Sequence, residues 1–165
     1  SIRVADIADG AGCSTATIHN HFPNALPDIL AAISEDIIQT AFKQFEKISE
    51  DFSGIELVRL YFKTVGEHIC DQADVAVPSI AISVDLASQG SWFDRKIFSD
   101  CKELFKEAKE SEQINGSHEQ LASLTHTFFQ GALYSWALGS ITSEEFLQMA
   151  MQSVDFAVSS CRGAT

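Results

Sequence analysis

The sequence predicts an all-α fold in two parts, a helix-turn-helix over residues 1–28 and a larger helical domain over residues 29–165. Three observations predict it. The run Ile7-Ala8-Asp9-Gly10-Ala11-Gly12-Cys13-Ser14-Thr15-Ala16-Thr17-Ile18-His19-Asn20-His21-Phe22 reads as a short helix, a glycine turn and a second short helix. Behind it, apolar residues recur at helical spacing without a convincing pair of strands. Breaks near Ser53-Gly54, Gln89-Gly90-Ser91, Asn115-Gly116-Ser117 and Gly139-Ser140 divide this remainder into helix-length segments.

In the first element, Gly12 can adopt the left-handed conformation that ends a helix without a Cβ penalty, and Ser14 can cap the next helix by accepting a backbone N–H bond. Pro23 stops that second helix. Ile7, Ala8 and Ala11 share one face before the turn, and Ile18 and Phe22 share one after it, so the two helices can close on a small core. The other face of the second helix carries Thr15, Ala16, Thr17, His19, Asn20 and His21, small or polar side chains that permit close approach to base edges and phosphates. With Ser14 these are the candidate DNA-binding residues, and double-stranded operator DNA is the expected partner. The plainer alternative is a surface helical hairpin packed on a larger domain.

This segment resembles the N-terminal DNA-binding domain of the TetR family of transcriptional repressors. Ile7-Ala8, Ala11-Gly12-Cys13-Ser14, Ala16-Thr17-Ile18 and His21-Phe22 match the family pattern in order and type. Cys13 stands where valine is usual and His19 where tyrosine is usual. Asn24-Ala25-Leu26 occupies the place where the family commonly carries a phosphate-gripping lysine. The resemblance implies a further helix, often led by a basic arm, ahead of Ser1. It also implies a homodimer that holds two readers at operator spacing, and a small-molecule effector that releases the DNA.

The next helix is expected to start near Pro27-Asp28, with Ile29, Ile33, Ile37, Ala41, Phe45 and Ile48 in one stripe and Glu35, Asp36, Lys43, Gln44 and Lys47 on its wetted side. It would link reader to sensor. Residues 55 to 112 then read as three helical segments, Ile55 to about Gln72, Val75 to Ala87 and Trp92 to about Glu112. The middle one carries Val75, Val77, Ile80, Ile82, Val84 and Leu86 nearly all round, so burial is expected. Phe62, Val65, Ile69, Trp92, Phe98, Cys101 and Phe105 are the candidate ligand-binding residues, an aromatic-rich set suited to a flat or greasy molecule. Core packing is the competing reading of each. Arg59 and His68 are expected to face solvent.

The last two helices, His118 to about Leu138 and Ser143 to about Cys161, carry more apolar surface than a small core needs, which suggests an intermolecular four-helix bundle. Leu121, Thr125, Phe128, Phe129, Ala132, Trp136, Ala150, Val154 and Ala157 are the candidate dimer-interface residues, with Gly131 permitting close helix approach. The alternative is an intramolecular bundle end.

Composition bounds the function. A hydrophobic content of 45% can fill a core. No apolar run approaches the roughly 18 residues that span a bilayer and no secretory leader is recognisable, so no membrane partner is expected and a cytoplasmic location is the default. Cys13, Cys70, Cys101 and Cys161 are scattered as in a reducing compartment. His19, His21, His68, His118 and His126 lack metal-ligand spacing, and no nucleophile or cofactor motif is present, so no metal, cofactor or catalysis is expected. The net charge of −12 opposes DNA affinity, which Lys and Arg normally supply. Residues 1–28 themselves hold Arg3 against Asp6, Asp9 and Asp28. That acidity supports a second reading, a helical small-molecule-binding or interaction protein that has lost DNA affinity.

Overall fold

A computed structural model describes residues 3–85, 92–111 and 114–161, with side chains at 3–80, 96–111 and 114–161. The described residues form eight helices and no strand: α1 Val4–Gly10, α2 Thr15–His21, α3 Leu26–Ile48, α4 Gly54–Asp71, α5 Ala73–Asp85, α6 Trp92–Ser111, α7 His118–Ala137 and α8 Ser143–Cys161. The expected break at Gln89-Gly90-Ser91 and the apolar Leu86 lie outside the described residues, as do the side chains of Ile82, Val84 and Trp92.

Two apolar clusters organise the chain. A small one in the head holds Ala8, Ile18 and Ile29, with Val4, Ile7, Cys13, Phe22 and Ile33 around it. The large one fills the body, and Ile33 packs against this cluster as well, so one side chain on α3 bridges head and body. Further along α3, Ile37, Ile38, Ala41 and Phe45 enter the body core, while Ile48 ends the expected stripe exposed to solvent. The helix has run past its partner by that turn.

The centre of the body is α4. Val58, Tyr61, Phe62, Val65 and Ile69 are fully buried there, on the side of the helix that meets α3, α6 and α8. Gly66 permits its approach to α8: a Cβ at this position would lie 3.0 Å from Leu147 Cδ2. Gly131, expected to serve that purpose on α7, instead faces open space. His68, expected in solvent, is buried, because the helical period that buries Val65 and Ile69 carries it onto the core side. Arg59 is partly exposed and pairs with Glu56 on its own helix and with Asp155 on α8.

Local chemistry fixes the α7–α8 turn. Gly139, at φ +72°, sits just past α7, and the N–H groups of Gly139 and Ser140 donate to the carbonyls of Trp136 and Ser135 at 2.9 Å each. This is the 5→2 and 6→1 pairing that closes a helix on a left-handed glycine. Thr142 then starts α8. Its hydroxyl accepts from Glu145 N–H at 3.2 Å, and its own N–H donates to the Glu145 carboxylate at 2.7 Å. No described helix is long and apolar enough to cross a membrane.

Candidate nucleic-acid interface

The turn between α1 and α2 is built like the one between α7 and α8. Gly12 takes φ +65°, Gly12 N–H donates to Asp9 O at 3.2 Å, and Cys13 N–H donates to Ala8 O at 3.0 Å. Ala8 and Cys13 belong to the same small cluster, which supplies the hydrophobic contact that accompanies such turns. Ser14 caps α2 by accepting from Thr17 N–H at 3.1 Å, and the Ser14 and Thr17 hydroxyls share a hydrogen bond at 2.9 Å. α2 ends at His21, with Phe22 as its C-cap, one residue before Pro23.

Along α2, Ile18 alone is buried, and Phe22 at its end is half-buried. Ser14, Thr15, Ala16, Thr17, His19, Asn20 and His21 are all exposed, so the structure gathers these candidate DNA-contacting side chains on one continuous surface. Ala11 departs from expectation. As the C-cap of α1 it is exposed, and Ala8 with Ile7 supplies that helix's apolar face.

The electrostatics of the head are self-contained. Arg3, its one basic residue among the described positions up to Asp28, donates from Nε at 3.1 Å and from a terminal nitrogen at 2.8 Å to Asp6. That bidentate pair holds the guanidinium pKa above and the carboxyl pKa below their ordinary values. Asp28 accepts from the Asn24 backbone at 2.8 Å and from its side-chain amide at 3.2 Å, fastening the start of α3. Ala25, between them, has φ +55° and ψ −114°, a conformation that favours glycine. Two of the head's three carboxylates, Asp6 and Asp28, are thus engaged within the head, Asp9 is exposed, and the exposed surface of α2 contains no carboxylate.

The candidate ligand-binding residues converge without opening a described cavity among themselves. Phe62, Val65, Ile69, Cys101 and Phe105 are fully buried in the body core, and Phe98 packs edge-on against His126 at 5.6 Å. Trp92 opens α6, and its side chain lies outside the described residues. Deep in α7, the Thr125 hydroxyl is buried without a hydrogen-bond partner. A cavity of about 270 Å³ lies elsewhere, between α3, α4 and α6, against Phe42, Phe45, Leu57, Asp100 and Leu104. No group of three His, Cys, Asp or Glu side chains able to hold a metal occurs among the described residues.

The dimer-interface expectation needs correction. Leu121, Thr125, Phe129, Ala132, Trp136, Ala150, Val154 and Ala157 are buried inside the chain itself, where α7 and α8 pack on each other, on α4 and on α6. Side chains this deeply covered offer a second copy almost no surface. Phe128 alone of that set remains accessible, and its ring meets that of the exposed Phe156 on α8 at 5.4 Å. Sequence periodicity found the apolar band but could not divide it between inside and outside. Leu124, Phe128, Gly131 and Ser135 on α7, with its C-cap Leu138, keep accessible surface at alternating spacings of four and three residues.

No family model matches the chain, and no curated protein matches it. Among solved structures, one described as a TetR-family transcriptional regulator from Rhodococcus sp. superposes with a TM-score of 0.71 at 16% identity, covering 95% of this chain and 87% of that one. The likeness shows that the fold is the all-α TetR-type fold, head and body together.

Proposed function

We propose that this chain is a DNA-binding transcriptional regulator of TetR type, acting as a homodimer and released from its operator by a small apolar or aromatic effector. The observation that carries the reading is the α1–α2 unit. A glycine-closed turn and a serine cap leave α2 exposed everywhere but at Ile18, with only uncharged or histidine side chains on that surface, within a TetR-type fold over 95% of the chain. What the body leaves uncovered, Phe128 and Phe156 with the Leu124 to Leu138 stripe, supports dimerisation. α3 runs unbroken from head to body, so an effector that changes the packing of the body shifts the heads through it. Such a switch needs an effector that binds the two head spacings with different affinity.

A specific observation favours a second reading, a helical ligand-binding or interaction protein without DNA affinity. Arg3 is paired with Asp6, and no lysine or further arginine is present in the described head to grip phosphates. Fluorescence-anisotropy titration of the full-length protein against DNA from upstream of its own gene separates the two. Saturable binding that survives competitor DNA and weakens between low and near-physiological salt supports the regulator. Absence of any salt-sensitive binding supports the alternative.

A further inference from the structure

Where the head meets the body, α1, α3 and α5 line a half-open pocket of about 230 Å³. Its walls are apolar, formed by Ile7 from the head, Ile29 and Ile33 from α3, and Val75 and Pro78 from α5. Ile33 is the side chain shared by both apolar clusters. The polar edge comes from Ser79 and from Asp74. Its carboxylate is exposed at the rim, in the first turn of α5. Its main-chain carbonyl lies four residues before Pro78, which has no N–H to give it, so the ordinary helical donor to that carbonyl is missing. Ser79 does not fill the gap, because its hydroxyl is turned to the carbonyl of Val75 at 2.7 Å. No lysine, arginine or histidine is among the lining residues described.

Apolar walls with acceptors and no donor charge select a ligand with a greasy body and a cationic N–H head. The volume lies below the roughly 300–1,000 Å³ usual for drug-sized ligands, so the body is one ring or a short alkyl chain. We propose that this cavity binds a small amphipathic amine, its protonated nitrogen on Asp74 and its hydrocarbon against Ile7, Ile33 and Val75. Because the walls belong to both head and body, an occupant joins the two directly. Binding here is separate from any effector in the body core and does not depend on DNA being the head's partner.

The test uses the full-length protein carrying ¹³C-labelled isoleucine methyls, titrated by NMR with benzylammonium and with benzyl alcohol as its uncharged counterpart. The expected result is saturable movement of the Ile7, Ile29 and Ile33 methyl signals, with benzylammonium binding a few-fold more tightly than the alcohol, as an ion pair on an exposed carboxylate supplies. Asp74→Asn should erase that preference, and Val75→Trp, which fills the cavity from a partly exposed position, should abolish binding of both. Pro78→Ala, which returns an N–H to the Asp74 carbonyl, should weaken benzylammonium a few-fold. Equal affinity for amine and alcohol, signal changes confined to isoleucines of the body core, or no saturable binding up to about 10 mM would each overturn the assignment. None of these outcomes involves DNA, so failure here is distinguishable from failure of the regulator reading.

Discussion

Ala25 holds the junction between head and body in a backbone conformation, φ +55° and ψ −114°, that costs an L-residue roughly 1–3 kcal/mol. Glycine removes the Cβ conflict and costs a smaller amount in unfolded-chain entropy, so Ala25→Gly should raise stability by about 1 kcal/mol, read as a higher midpoint in denaturant. Tyr61 is a second residue with a measurable consequence. Its buried hydroxyl donates to Asp100 at 2.9 Å, and burial followed by the Asp100 charge pushes its pKa well above the ordinary tyrosine value. Tyr61→Phe should cost about 1–2 kcal/mol in the same denaturation, since Asp100 keeps Lys96 as a partner and is not left unpaired. Sequence reasoning reached Gly12 and Ser14, whose roles follow from local backbone needs. It did not reach Ala25, whose conformation is imposed from both sides by Phe22 and Asp28, nor His68, whose burial depends on what packs across from it.

At the scale of the helices, the caps are short-range, and the sequence reading named one of them, Ser14. Ser14, Ser117 and the Thr142–Glu145 pair act within three residues of themselves. The Glu145 carboxyl is held below its ordinary value of 4.5, first by the Thr142 backbone N–H and then by the Thr142 hydroxyl. A depressed carboxyl pKa contributes stability that is complete above the unfolded value and lost as pH falls through the folded one. The difference in thermal midpoint between the native chain and Glu145→Ala should therefore be full at neutral pH and close progressively below pH 4.5. Which face of a helix meets which neighbour was much less legible. Gly66 and Gly131 are both glycines within apolar helices, yet one lies against Leu147 and the other against open space, a difference set by the position of α8.

For the whole molecule, the all-α class follows from periodicity and helix breaks, and the superposition on a TetR-type structure bears it out. The partner surfaces were not legible in the same way, because apolar periodicity marks a face that is covered without saying by what. α7 illustrates this directly: Phe129 is buried in the chain's own core and Phe128, one position earlier, is not. Phe128→Glu should give a folded monomer in sedimentation while Phe129→Glu should give an unfolded chain, since it places a charge in a sealed core. A Phe128→Glu protein that remains dimeric would place the interface elsewhere. The central claim is that α2 reads DNA, and selection from a randomised duplex library by the full-length protein tests it most directly. Enrichment of a two-fold symmetric site with half-sites roughly 10 bp apart, or a multiple of that, lost on joint replacement of Thr17 and Asn20 by alanine, is the expected result. A library that emerges with no sequence enriched would contradict it.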